Sequence, residues 1–232
     1  MTSYPISCLS SLYFATPGAL TCLSPAGLTA GPAHPPAGAR RVPLGIIFGV
    51  YSLGTLSAVP ASRSPELVGG PTLEALTRLG WLETVGVVEI DPALSDTARS
   101  QDAYRLPPDS LANCVVVGGK REGEERLAAC VVLFTTRADV NGVVRRRLDV
   151  RKASFLPTER AVELTGMQYG GINPIGLPAG WPILVDSRVV ERDVVLIGSG
   201  VRASKLLLPG SMLADIPGGE VVEGLGIPLA PR

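Results

Sequence analysis

The sequence has few of the side chains that enzymes commonly use for catalysis at neutral pH. It contains a single histidine, His34, and its four cysteines lack the CxxC spacing of zinc and redox sites. A catalytic triad built on histidine or a metal centre built on imidazole and thiolate would need more of these groups. We therefore expect no metal and no cofactor.

The cysteines that lie in the apolar part of the chain are not expected to be reactive. Cys114 and Cys130 occur in the runs NCVVV and AACVVLF. Cysteines in such runs are typical of buried, inert thiols and less often of nucleophiles or disulfides. We interpret this as a reducing, cytoplasmic setting.

The sequence also has no excess of charge of either sign. Lys plus Arg and Asp plus Glu both number 21, so the net charge does not steer a polyanion toward the protein. Contact with nucleic acid would need a local patch. The densest basic cluster is Arg145, Arg146, Arg147, Arg151 and Lys152, and the sequence leaves open whether it grips phosphates or is a solvated helix face.

Long apolar segments are missing as well. The stretch PLGIIFGVYSL at 43–53 is too short and too rich in glycine to cross a bilayer core of about 30 Å. A signal peptide would need Lys or Arg near its start, and residues 1–12 contain neither. We expect no membrane association. Residues 1–54, rich in Ser, Pro, Gly and Ala, are predicted to be a disordered extension or the product of a misplaced start, with the globular domain at 55–232.

From residue 55 onward the pattern predicts an α+β domain with a curved mixed sheet. The polar segment GGKREGEER is predicted to be the solvated loop of a hairpin. Helices are predicted at 72–79, 95–103, 139–148 and 158–165, and strands at 84–90, 114–117, 127–135, 152–155, 182–185, 194–198 and 205–208.

The most informative segment is TGMQYGGINPIG at 165–176, directly after a predicted helix. Gly170 and Gly171 permit positive φ and a close approach of a ligand to the backbone, while Pro174 stiffens the turn. Such a loop can present backbone amides to a developing oxyanion. Taken alone, a plain Gly/Pro connector is the commoner explanation.

The sequence of this segment closely resembles the GGISPxG loop of the YbaK / prolyl-tRNA-synthetase editing-domain family, with Asn173 where serine is usual. The downstream run PILVDSRVVERDVVLIGSGVRASKLLLPGSML is similar to the family's strand, aspartate, strand, glycine turn and strand. Asp96-Thr97-Ala98 resembles its early loop. The resemblance extends over roughly residues 72–224, about two thirds of the chain.

The resemblance implies a single α+β domain with a curved, barrel-like mixed sheet flanked by helices. It also implies an aminoacyl-tRNA deacylase that hydrolyses the ester of misacylated tRNA, with the loop 170–174 holding the aminoacyl carbonyl. The catalytic residues expected on this basis are Gly170, Gly171, Pro174 and Asn113, and the expected substrate-binding residues are Thr97, Asn173, Asp186, Gly198, Gly200, Arg202 and Lys205.

One position departs from the family pattern. Members usually carry a lysine at the start of the first hairpin strand, where it is thought to meet the terminal adenosine phosphate, and this sequence has Asn113 there. Asparagine can hydrogen-bond but cannot neutralise charge, and a charged hydrogen bond is about twice as strong as a neutral one. Lys120, Lys152 and Lys205 are candidates to compensate, and Lys205 is preferred because it follows the glycine turn.

The sequence therefore predicts a stand-alone trans-editing deacylase that acts on the acceptor end of misacylated tRNA, with a synthetase as a further partner and no DNA. A non-catalytic module that binds tRNA or a synthetase is the first alternative, favoured by Asn113. An enzyme for a small aminoacyl ester is the second, favoured by the neutral net charge. The sequence does not identify the amino acid removed.

Overall fold

The computed structural model describes residues 51–229. The predicted extension at 1–54 lies outside the described residues, apart from its last four positions. Tyr51 is buried in an apolar cluster, and its hydroxyl donates a hydrogen bond to the Thr84 carbonyl at 2.9 Å. Residues 51–54 are thus part of the folded domain.

The described residues contain short helices and many strands. No helix within 51–229 is long and apolar enough to cross a membrane. The helices are α1 (Gly70–Leu79), α2 (Thr97–Tyr104), α3 (Arg145–Arg147), α4 (Thr158–Thr165) and α5 (Ser187–Val190), with a π-helical turn at Val140–Val144 and 3-10 turns at Ala61–Arg63, Pro65–Leu67, Pro92–Leu94, Pro108–Ser110 and Gly210–Asp215. The strands are β1 (Ser52–Leu53), β2 (Leu56–Ser57), β3 (Val59–Pro60), β4 (Gly86–Glu89), β5 (Ala112–Arg121), β6 (Glu124–Leu133), β7 (Thr136–Ala138), β8 (Ala153–Phe155), β9 (Ile183–Asp186), β10 (Val195–Gly198), β11 (Ser204–Leu208), β12 (Gly219–Val222) and β13 (Gly226–Pro228).

The helix ends follow from local capping. Helix α2 begins at the Asp96 side chain, which accepts hydrogen bonds from the Ala98 and Arg99 amides. Helix α4 has the predicted bounds and ends at Gly166 in the left-handed conformation. The start of α2 and the end of α4 adjoin two segments described below, the stretch before α2 and the loop after α4.

The hairpin of β5 and β6 corrects one prediction. The segment GGKREGEER is not a loop, because the strands stay paired up to Arg121 and Glu124. The turn consists of Glu122 and Gly123, whose φ values are 53° and 87°. Two positive φ angles match the twist of the flanking strands, so the ladder continues to the tip of the hairpin.

The strands form two main sheets. One has the order β10-β11-β4-β3 and is antiparallel, and the other has the order β12-β9-β6-β5-β8 with parallel pairing of β9 to both of its neighbours. An isolated bridge between Leu111 and Leu196 joins the sheets. The predicted α+β class is confirmed, but the described strands do not close into the expected barrel-like sheet, because this junction consists of a single bridge.

The five-stranded sheet is apolar on both faces. Val131 packs in the cluster shared with α1 and the four-stranded sheet, whereas its neighbour Cys130 packs in the cluster under the π-helical turn. Cys114 and Cys130 are both free thiols. Burial raises the pKa of the Cys130 thiol to about 12 and also raises the pKa of Cys114, so neither thiol is ionised near neutral pH.

Candidate active site

The loop that follows α4 is shaped by glycine. Gly170 has a φ of 80°, and the Gly171 amide donates a hydrogen bond to the Gln168 carbonyl at 2.9 Å. A residue with a side chain would be strained at the Gly170 φ. Within the described residues the Gly170 amide has no acceptor. Of the two amides predicted to act as donors, the one of Gly170 is therefore available in this conformation, and the one of Gly171 is used within the turn.

The loop packs backbone to backbone against the connection between β10 and β11. The Gly171 carbonyl accepts a hydrogen bond from the Gly200 amide at 2.8 Å, and the Gln168 amide donates to the Gly200 carbonyl at 2.9 Å. A Cβ on Gly171 would lie 2.6 Å from the Val201 carbonyl oxygen, and one on Gly198 would lie 2.3 Å from the Gly171 carbonyl oxygen. The close approach of the connection between β10 and β11 thus requires glycine at 171.

The far end of the loop is anchored in the interior. The Asn173 side chain is fully buried, donates to the Thr72 hydroxyl at 2.9 Å and accepts from the Ile175 amide at 2.8 Å. Pro174 beside it is also buried. Both residues therefore hold the loop against α1, and the Asn173 side chain does not face solvent.

Lys205 lies directly beside this loop. It pairs with Gly198 across β11 and β10 and is 5% exposed, and its ammonium donates to the carbonyls of Gly170 at 2.9 Å and Ser95 at 3.0 Å. Burial, together with the nearby Arg202, lowers the pKa of Lys205 to about 8, although Asp96 acts in the opposite direction. No carboxylate of the described residues forms an ion pair with it.

Arg202 makes a parallel set of contacts. Its Nη1 donates to the Tyr169 carbonyl at 3.2 Å, and its Nη2 donates to the Pro92 carbonyl at 3.1 Å. Its guanidinium carbon also lies 5.6 Å from the centroid of the Tyr169 ring. The guanidinium therefore bridges the glycine loop and the segment before α2.

The segment before α2 contributes hydroxyl and amide groups. The Ser95 hydroxyl is buried and has no hydrogen-bond partner within the described residues, and it would lie 3.1 Å from a Cβ placed on Gly170. The Thr97 hydroxyl donates to the Asn113 side-chain oxygen at 2.8 Å. The structure thus brings Thr97 and Asn113 together.

Asp186 has partners of its own. Its carboxylate is fully buried and accepts hydrogen bonds from the Arg188 guanidinium at 2.8 and 2.9 Å and from the Gly226 amide. Burial raises the pKa of Asp186, but the hydrogen bonds from Arg188 and Gly226 outweigh this effect and the pKa is lowered. The side chain ties α5 to β13.

The other basic residues lie on the surface. Of the three candidate lysines, Lys120 and Lys152 are exposed, and Lys205 is the one bonded to the loop. The cluster at 145–152 is exposed at all its basic positions, and Arg147 pairs with Glu220. Within 51–229 no three His, Cys, Asp or Glu side chains come together to hold a metal ion.

Two residues of this region, Ser95 and Tyr169, were not among the predicted site residues. The predicted helix at 95–103 begins later, at Thr97, because Asp96 makes the capping bonds, and the Ser95 hydroxyl is left unpartnered within the described chain. Tyr169 is 59% exposed at the edge of the site. An aromatic residue next to two glycines is the sequence signal that could have identified Tyr169, whereas nothing local predicts the burial of Ser95.

Comparison with known proteins bears on the family and the fold of this chain. The family model of the aminoacyl-tRNA editing domain matches residues 91–216, more than half of the chain. The hypothetical protein APE2540 has a similar structure, with a TM-score of 0.59 and 18% identity over 68% of this chain and 99% of that one. A protein described as a candidate trans-editing enzyme for prolyl tRNA synthetase is similar with a TM-score of 0.56 and 20% identity, over 66% of this chain and 93% of that one. At these identities the two structures establish the fold.

Proposed function

The chain belongs to the aminoacyl-tRNA editing domain family, and we propose that it is a trans-editing deacylase that hydrolyses the ester of misacylated tRNA. The observation that carries the proposal is the Gly170 amide, which has no acceptor within residues 51–229, in a loop whose Tyr169 and Gly170 carbonyls and Gly171 amide are hydrogen-bonded. A fixed amide donor stabilises an oxyanion without reorganisation during the reaction. The proposed role of the protein is thus to maintain translation fidelity.

The chemistry needs one water molecule and no cofactor. The water oxygen bonds to the ester carbonyl carbon, the carbonyl oxygen becomes the oxyanion, and the bond to the ribose oxygen then breaks. One proton ends on the ribose oxygen, and the other goes to solvent as the amino acid leaves as a carboxylate. We assign the oxyanion to the Gly170 amide and the alignment of the water to a hydroxyl of the terminal ribose.

The remaining site residues are proposed to act through the loop or at the acceptor end. Gly171, Pro174, Gly198 and Gly200 keep the loop in place through the backbone contacts described above. Thr97 and Asn113 offer neutral hydrogen-bonding groups for the terminal nucleotide. Asn173 and Asp186, whose polar atoms are satisfied within the protein, are assigned to the stability of the fold.

Several features support action in trans in the cytoplasm. The structure described as a candidate trans-editing enzyme is matched over 93% of its own length, so this chain contains the equivalent of nearly that whole protein. The free cysteines, of which Cys130 is buried and Cys114 partly buried, suit a reducing compartment. A synthetase that releases the misacylated tRNA is proposed as the partner that supplies the substrate.

The test is hydrolysis of a panel of labelled aminoacyl-tRNAs, including Cys-, Ala-, Ser- and Pro-charged species, by the full-length protein. We expect release above the spontaneous rate for at least one species. Gly170→Ala should lower that rate by 10²-fold or more, because the strained backbone turns the amide away. Gly180→Ala is the matched control, since Gly180 has a φ of 84° and open space around its Cβ position.

The alternative functions give different results in the same assay. Binding of tRNA without release of any amino acid would contradict the deacylase and favour a non-catalytic module, as the neutral Asn113 side chain suggests. Hydrolysis of small aminoacyl esters, with weak and salt-insensitive binding of tRNA, would favour a metabolic esterase instead.

A further inference from the structure

Arg202 and Lys205 contact the same two segments in the same way. Each donates one hydrogen bond to a carbonyl of the glycine loop, at Tyr169 and Gly170, and one to a carbonyl before α2, at Pro92 and Ser95. We call these two cations and four carbonyls the carbonyl clamp. It joins three segments that are distant in the sequence.

The clamp sets the direction of two consecutive peptide groups. In a trans peptide the N–H points opposite to the C=O. Because the Tyr169 carbonyl points at Arg202, the Gly170 amide points to the other side. Because the Gly170 carbonyl points at Lys205, the Gly171 amide is directed away from Lys205, and it meets the Gln168 carbonyl.

Building on the proposed function, we infer that Arg202 and Lys205 are positioning residues of the deacylation site, which hold the carbonyls of Tyr169 and Gly170 and thereby aim the Gly170 amide at the ester. Glycine has an unusually free backbone, so the peptide between Tyr169 and Gly170 could otherwise rotate at its Gly170 end. Rotation would place a carbonyl where the oxyanion forms. Charged donors hold carbonyls more strongly than neutral ones, which explains why both clamp donors are cations.

Direct binding of a substrate phosphate by the same cations is the competing explanation. Nη1 and Nη2 of Arg202 and two of the three ammonium protons of Lys205 are already used by carbonyls. Lys205 is also almost completely buried. The two explanations differ kinetically, since positioning acts on kcat and phosphate binding acts on KM and its salt dependence.

The first test is Arg202→Lys in the full-length protein, because an ammonium lacks the two guanidinium nitrogens, held apart in one rigid plane, that reach the Tyr169 and Pro92 carbonyls at once. We expect kcat for the best aminoacyl-tRNA substrate to fall at least tenfold, while KM changes less than twofold. Arg99→Lys is the matched control: Arg99 donates to the Ala93 carbonyl in the same segment but does not reach the loop. An unchanged kcat, or a change confined to KM, would overturn the inference.

The second test uses the charge of Lys205. The charged groups that face Lys205 are Arg202 and Asp96. On the neighbouring strands, β4 has Glu89 next to Val88, which pairs with Lys205, and β10 has no titratable residue. The loop 167–174 has one titratable group, the phenol of Tyr169. Since the pKa of Lys205 is about 8, kcat corrected for spontaneous hydrolysis should fall above pH 8 in the wild type. Lys205→Arg should retain activity without this fall, and Lys205→Met should lose kcat throughout. The same alkaline fall in Lys205→Arg, or full kcat in Lys205→Met, would contradict the clamp.

The NMR resonance of the Gly170 amide tests the role of the carbonyl clamp independently of the proposed deacylase activity. In ¹⁵N-labelled full-length protein, Arg202→Lys should shift the Gly170 amide resonance, and Arg99→Lys should not. An unmoved Gly170 signal would overturn the clamp even if no aminoacyl-tRNA is hydrolysed. Absence of hydrolysis by the wild type would instead overturn the proposed function.

Discussion

At the scale of single residues, the site has a neutral amide where the family pattern has a lysine, and it has a buried ammonium on another strand. Asn113 is partly exposed and bonded to Thr97, whereas Lys205 is bonded to the glycine loop. The positive charge therefore lies next to the peptide groups of the loop and not on the first strand of the hairpin. The two positions respond differently to substitution.

Asn113→Lys should strengthen the binding of tRNA. An added ammonium at this partly exposed position can neutralise a phosphate of the acceptor end, so KM should fall and the slope of its logarithm against the logarithm of salt concentration should steepen by about 1. Asn113→Asp, with the opposite charge, should raise KM. Equal salt slopes for both variants would place this position outside the tRNA interface.

Lys205 should also leave a signature in stability. Because its folded pKa of about 8 lies below the ordinary value of 10.5, the folded protein carries a penalty for the buried ammonium below pH 8, and this penalty is relieved as the pH rises toward 10.5. The stability of the wild type relative to Lys205→Met should therefore rise by at most about 1.4 kcal/mol per pH unit in that range. Urea unfolding of both proteins measures the difference, in which the ionisation of Cys114 and Cys130 cancels. A flat difference would mean that Lys205 ionises normally.

At the scale of elements, sequence reasoning succeeded where the signal is local. The bounds of α4 follow from a glycine that ends it, and the segment predicted as a helix at 139–148 is capped by the Asp139 side chain, although it begins with a π turn. It failed for the tip of the β5–β6 hairpin, since the polar residues there look like a loop until their pairing partners are known. It also missed β12 and β13, which are short and pair with strands remote in the sequence.

The contact between Asp186 and Arg188 joins the last strand to the domain, and it predicts a large effect on stability. Asp186→Asn should destabilise the protein by about 2 to 4 kcal/mol, because Arg188 and the Gly226 amide lose a buried charged acceptor. Thermal and urea unfolding measure the loss. Asp193→Asn, on the exposed side of the following turn, is the control and should be neutral.

The pH dependence of the Asp186 contribution has a defined sign. Its pKa is lowered on folding, so the stabilisation is complete above the ordinary value of 3.8 and is lost as the pH falls through the lower folded value. The gap in stability between the wild type and Asp186→Asn should therefore narrow in acid. A gap independent of pH would assign the effect to shape and not to charge.

At the scale of the whole molecule, the site forms where three remote segments meet: the stretch before α2, the loop after α4 and the connection into β11. The resemblance in sequence identified the glycine loop, because its residues are contiguous. The contacts of Arg202 and Lys205 with carbonyls before α2 could not be predicted, because every residue type has a backbone carbonyl and the sequence does not show which carbonyls accept hydrogen bonds. The burial of Lys205 likewise depends on the packing of the sheet.

The distribution of surface charge predicts which residues of this neutral protein bind tRNA. Arg146→Ala should weaken the binding of tRNA and reduce its salt slope by about 1, because the exposed cluster around Arg146 is the dense basic patch that could contact phosphates. Arg78→Ala, exposed on α1 outside the cluster, should change neither quantity. Filter binding across a range of salt concentrations measures both, and identical slopes for the two variants would make the cluster a solvated helix face.

The carbonyl clamp has a consequence for how chains of this kind can diverge. Every residue type has a carbonyl oxygen, so the side chains at Pro92, Ser95 and Tyr169 can change while the acceptors remain. The donors have less freedom, because they must be cationic side chains that reach the carbonyls from positions 202 and 205. A survey of variants should therefore find that Pro92, Ser95 and Tyr169 tolerate substitution, whereas positions 202 and 205 do not tolerate neutral side chains.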